Sequence, residues 1–83
     1  MEKNEIINLI KDNLVEIIPE LEGEEINNRE AFIDFGANSI DRGELITLTL
    51  EALELDVSRI KFVSAQNIEE LAELVFSYIH ASV

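Results

Sequence analysis

The 83-residue sequence contains no cysteine, which excludes disulfides, thiolate nucleophiles and cysteine metal centres. Basic residues are scarce: 6 lysines and arginines face 18 acidic residues, for a net charge of −12. Nucleic acids and anionic membrane surfaces are polyanions that need Lys/Arg contacts, so neither is an expected partner. No apolar run approaches the roughly 20 residues of a membrane span. The opening "MEKNEIINLI" lacks a basic segment followed by a long apolar one, so no signal peptide is visible and a cytoplasmic protein is expected. The single histidine, His80, reads as an exposed tail residue. Carboxylates abound, yet no calcium-loop pattern occurs and "ELEGEEI" lacks the ligand spacing, so a solvated acidic face is the better account and no metal is expected. A chain this small can hardly form the cleft that paired-carboxylate hydrolysis needs, so no self-contained enzyme is expected.

Hydrophobic residues make up 47% of the chain, and no repetitive or Pro/Gly/Ser-rich segment argues for disorder. The length predicts one domain over residues 1–83, a monomer with a modest core. Ile6, Ile10, Leu14, Ile17 and Leu21 form one stripe at helical period. Asn4 is a candidate N-cap for that helix, and the only proline, Pro19, should end it near Ile17 or Ile18. A long connection follows over residues 19–37, with Ile26, Phe32 and Phe35 able to pin it down. Residues 46–51, "ITLTLE", alternate like a strand, but the apolar pattern runs on to Leu55 and that length favours a helix. Thr49 is the residue out of place in the helical pattern. "DVSRIKFV" at 56–63 fits a brief helical turn with Val57, Ile60 and Phe62 inward. The last helix starts at a capping-box-like Asn67 and Glu70 and carries Ile68, Leu71, Leu74, Val75, Tyr78 and Ile79 on one face. The expected class is all-α.

The chemistry concentrates in "FGANSIDRGEL", residues 35–45. Asn38 with Asp41 three residues later resembles a capping box, which puts Ser39 at the first helical position. If Asn38 caps, the Ser39 hydroxyl is left over, at a helix end whose exposed N–H groups and dipole favour an attached phosphate. Gly43 costs about 1 kcal/mol relative to alanine inside a helix. It lies one turn after Ser39 on the same face, which leaves room there for a prosthetic arm or partner, or alternatively for a closely packed helix.

"GANSI" resembles the Gly-x-Asp-Ser-Leu signature of acyl carrier proteins, with Glu44–Leu45 following at the family's distance. The likeness extends along the chain to "PE" after the first helix, "AF" ahead of "FGA", and "NIEELAEL". It implies a four-helix acyl-carrier-type bundle with three longer helices, a short third helix and a long first loop. It also implies that a phosphopantetheinyl transferase moves 4′-phosphopantetheine from coenzyme A onto Ser39, that an acyltransferase loads the arm, and that acyl groups ride on it as thioesters. Asn38 and Ile40 replace the family's usual Asp and Leu or Met, and Arg42 interrupts the acidic second helix formed by Asp41, Glu44, Glu51 and Glu54. With those departures, "NSIDRGELI" and "SAQNIEEL" are similar to the discrete donor carriers of polyketide β-branching. Such a carrier would serve a decarboxylating ketosynthase and an HMG-CoA-synthase-like enzyme, with Asn38, Ile40, Asp41, Arg42, Gly43 and Glu44 forming the recognition surface. A fatty-acid, aminoacyl or D-alanyl carrier is the alternative within the class. A small acidic interaction module with a purely structural Ser39 is the alternative outside it.

Overall fold

The computed structural model describes residues 1–81. Its elements are α1 (Lys3–Ile17), α2 (Ser39–Ala52) and α3 (Ile68–Ala81), with short 3-10 turns at Pro19–Leu21, Phe32–Phe35 and Arg59–Phe62. Among the described residues there is no strand, and 46–51 lies wholly within α2. The architecture is all-helical, as expected, with one change. The segment expected as a short third helix is a four-residue 3-10 turn, so the described residues form three α-helices rather than four. The brevity of the 59–62 segment accounts for its 3-10 form, because four residues cannot repay the nucleation cost of an α-helical ladder.

Ile6, Ile10 and Leu14 are buried as the stripe predicts, while Ile17 and Leu21 pack at the edge of the core. The helix starts two residues earlier than expected. Glu2, not Asn4, is the N-cap and exchanges reciprocal hydrogen bonds with Glu5. Pro19 begins the next turn, and α1 ends at Ile17 as its position requires. Helix α1 is the spine on which both α2 and α3 pack.

The 19–37 connection is held by more than its apolar residues. Phe32 is buried, and Ile26 and Phe35 pack against the core. In addition, Phe32 N–H donates to the Gln66 carbonyl at 2.8 Å, and Glu69 N–H donates to the Asn28 carbonyl at 3.0 Å. These bonds tie the loop to the first turn of α3. Asn67 caps that turn by accepting from Glu70 N–H at 2.7 Å, whereas the Glu70 carboxylate accepts from Gln66 N–H rather than completing the box on Asn67.

In the 56–63 segment Phe62 is fully buried, and its ring lies 5.3 Å from that of Tyr78 on α3. Val57 is half-buried against the core, but Ile60 points outward at 70% exposure, against expectation. A 3-10 turn has three residues per turn, so Ile60, two positions before Phe62, is turned about 120° away from it and cannot face inward with it.

Candidate functional site at the start of helix α2

Gly36, with φ of 87°, ends the preceding 3-10 turn in the left-handed region that glycine adopts without steric cost. The buried Ala37 then anchors the chain just before the helix. Asn38 is the N-cap in extended conformation. Its side-chain oxygen accepts from Asp41 N–H at 2.9 Å, and the Asp41 carboxylate accepts from Asn38 N–H at 3.2 Å. The reciprocal box forms as the sequence spacing predicts. It leaves Ser39 at the first helical position, exposed, and its hydroxyl makes no hydrogen bond among the described residues.

Two hollows open beside Ser39. One, of about 240 Å³, lies between α2 and α3 and includes Arg42, Ile46, Val63 and Leu71 in its walls. The other, of about 510 Å³, spreads over the adjoining face of α2 and includes Ile40, Glu44, Thr47 and Arg59. Ser39 and Gly43 line both. A Cβ built on Gly43 would meet no atom within 4 Å, which removes the close-packing explanation for this glycine. Open space, not helix contact, lies over it. The candidate residues therefore converge, with Ile40 and Glu44 exposed, Arg42 and Gly43 half-exposed, and Asp41 occupied in the cap.

Sequence reasoning missed the contribution of the 59–63 turn. Arg59 donates to the Thr47 hydroxyl at 3.1 Å, and that hydroxyl donates to the Gly43 carbonyl at 3.0 Å. Ile60 and Val63, 70% and 56% exposed, join Ile40, 78% exposed, as large apolar side chains left in solvent on this side of the molecule. The available signal was faint: two cations, Arg59 and Lys61, interleaved with apolar residues in a short segment, 20 or more positions from Ser39. His80 is exposed as expected, though its ring stacks on Phe76 at 4.0 Å. Among the described residues no cluster of His, Cys, Asp or Glu could hold a metal ion, and no helix is long and apolar enough to cross a membrane.

An exposed, unbonded hydroxyl on a capped helix end, with open space one turn further on, is accessible to a group attached from outside. The family comparison agrees in kind: residues 8–75 match the model of the phosphopantetheine attachment site. The chain is 35% identical over 82 residues to the polyketide biosynthesis acyl-carrier-protein AcpK of Bacillus subtilis (strain 168), covering 99% of this chain and 100% of that one. It also superposes with a TM-score of 0.86 and 36% identity on a chain in the crystal structure of the curacin biosynthetic pathway HMG synthase in complex with acetyl donor-ACP, covering 90% of this chain and 96% of that one. The chain belongs to the phosphopantetheine-attachment family and is an acyl carrier protein of polyketide biosynthesis, with a covalently attached 4′-phosphopantetheine as its prosthetic group.

The residues at the start of α2 fit that group. The Ser39 oxygen is accessible and uncommitted, the first helical N–H groups have no carbonyl one turn back to satisfy them, and no side chain covers Gly43.

Proposed function

We propose that residues 1–83 form a single carrier domain, that Ser39 is the attachment residue, and that the protein is the acetyl donor carrier for polyketide β-branching. The observation that carries the attachment reading is the division of labour between neighbours. Asn38 satisfies the helix end, so the Ser39 hydroxyl has no structural task. The attached group supplies a thiol on a long arm, which this cysteine-free chain cannot supply itself.

The chain's own residues then do three things. Asn38 and Asp41 fix the helix start, so the Ser39 oxygen projects from a rigid element rather than a mobile loop. Gly43 keeps the adjacent helix face bare. Ile40, Ile60 and Val63 offer apolar surface around the attachment point, with Arg42 and Glu44 as charged neighbours that orient a partner. On this reading the protein is a non-catalytic cytoplasmic monomer, and the chemistry belongs to the enzymes that dock on it.

The donor assignment is supported by the superposition. The matched chain is itself carrier-sized, because 90% of an 83-residue chain covers 96% of it, and its crystal structure pairs an acetyl donor carrier with an HMG synthase. The proposed partners are a phosphopantetheinyl transferase, an acyltransferase, a decarboxylating ketosynthase and an HMG-CoA-synthase-like enzyme. An acetyl-transfer assay tests the subtype. The acetyl-loaded protein should pass its acetyl group to such a synthase at least tenfold faster than an acetyl-loaded fatty-acid carrier does, a difference of about 1.4 kcal/mol in transition-state recognition. Equal rates would place it among general carriers instead.

A further inference from the structure

We propose that Arg42 and Arg59 form a two-sided anion subsite for the phosphodiester at Ser39, with Arg42 its preferred partner and the bare face of Gly43 the passage between the two sides. The proposal rests on the Ser39 reading above and adds which side chains neutralise the linkage. Ser39 and Gly43 line both hollows, but each hollow has its own arginine: Arg42 in the one between α2 and α3, Arg59 in the neighbouring one between α2 and the 59–62 turn. Both belong to the 6 basic residues of this strongly acidic chain, and each lines a hollow together with Ser39.

Each guanidinium has the means to act. Arg42 follows Ser39 by three positions and so shares its helix face. Arg59 is held on α2 by its bond to Thr47, which is anchored in turn on the Gly43 carbonyl. A guanidinium carries five N–H donors in a planar fork suited to phosphate oxygens, and the Thr47 bond engages only Nη1.

The two sides differ in their acidic residues. The Arg59 hollow also includes Glu44, whose carboxylate repels a phosphate, whereas no carboxylate lines the Arg42 hollow. That asymmetry makes Arg42 the preferred side. Gly43 then has a stated purpose. Any side chain there would project into the strip that joins the two hollows, and nothing else in the packing calls for a glycine at that position.

The test follows the arginine Nε–H signals by NMR in apo and loaded protein, with intact mass confirming the loading. Loading should shift Arg42 most, Arg59 less, and Arg29 not at all. In Arg42→Gln, the loaded protein should show a larger Arg59 shift than wild type, as the phosphodiester moves across. In Arg42→Gln/Gly43→Leu that transfer should be lost, while the helical circular-dichroism signal stays at the wild-type level. Full loading with unmoved Arg42 and Arg59 signals would overturn the subsite alone. No loading at all would overturn the Ser39 reading and the subsite with it.

Discussion

Asn38 and Ser39 occupy adjacent positions, and only the Asn38 side chain is bonded into the helix cap, which makes them separable by mutation. Asn38→Ala removes the acceptor for Asp41 N–H and should cost about 0.5–2 kcal/mol, read as a lower urea midpoint with an unchanged slope. Ser39→Ala removes a hydroxyl that makes no hydrogen bond among the described residues, so its stability should stay within about 0.5 kcal/mol of wild type. A loss as large as that of Asn38→Ala would mean that the serine, not the asparagine, does the capping. The box was legible in the sequence because it is local, three residues apart. The open space over Gly43 was not, because close packing and exposure leave the same single letter in a sequence.

Helices α1 and α2 meet through a polar contact that the pattern of α2 registered only as an irregularity. Thr49 is fully buried, donates to the Leu45 carbonyl at 2.8 Å and accepts from the Asn13 amide at 3.2 Å. Its position was visibly anomalous. Its partner was not, because Asn13 lies 36 residues away and helical periodicity carries no information about pairing between elements. Thr49→Val should cost about 1–3 kcal/mol by leaving the buried Asn13 amide unpaired. Asn13→Leu combined with Thr49→Val should cost less than the two single changes summed, as a double-mutant cycle in denaturant would show.

A second inter-helix link has a pH signature. Lys3 on α1 hydrogen-bonds Glu69 and, at 3.2 Å, Glu73 on α3. The bond to Glu69 holds the Lys3 ammonium above its ordinary value of 10.5, against an opposing effect of desolvation, with Glu73 adding to the rise. The same bond holds Glu69 below its ordinary value of 4.5, again against desolvation. Glu69's contribution is therefore fully present above 4.5 and lost as pH falls through its lowered folded-state value. Lys3's contribution is fully present below 10.5 and lost as pH rises through its raised value. Lys3→Met should lower stability by a constant amount from about pH 5 to 10, with the difference from wild type shrinking outside that window in urea titrations. A difference that grows toward low pH would contradict the assignment.

Across the whole molecule, a net charge of −12 spread over 83 residues sets a background of self-repulsion. The melting temperature should accordingly rise as salt increases from about 20 to 500 mM, where screening shortens the Debye length to a few ångströms. A falling melting temperature would mean that ion pairs such as Lys3–Glu69 outweigh the repulsion. The helical class and the helix ends at Pro19 and Asn38 were readable from the sequence, since proline geometry and capping act within a few residues. The ties from the long connection to α3, and the turn that brings Arg59 beside α2, arise from contacts far apart in the chain and needed the fold.

The attachment of the prosthetic arm at Ser39 is the claim on which the rest depends, and one measurement reaches it directly. The protein is incubated with coenzyme A and a broad-specificity phosphopantetheinyl transferase, digested with trypsin and analysed by mass spectrometry. Cleavage after Arg29 and Arg42 releases residues 30–42, a peptide in which Ser39 is the only hydroxyl-bearing residue. One phosphopantetheine mass increment is expected on that peptide, and none in Ser39→Ala. An unmodified 30–42 peptide, or an increment that maps to Ser58 or Ser64, would contradict attachment at Ser39.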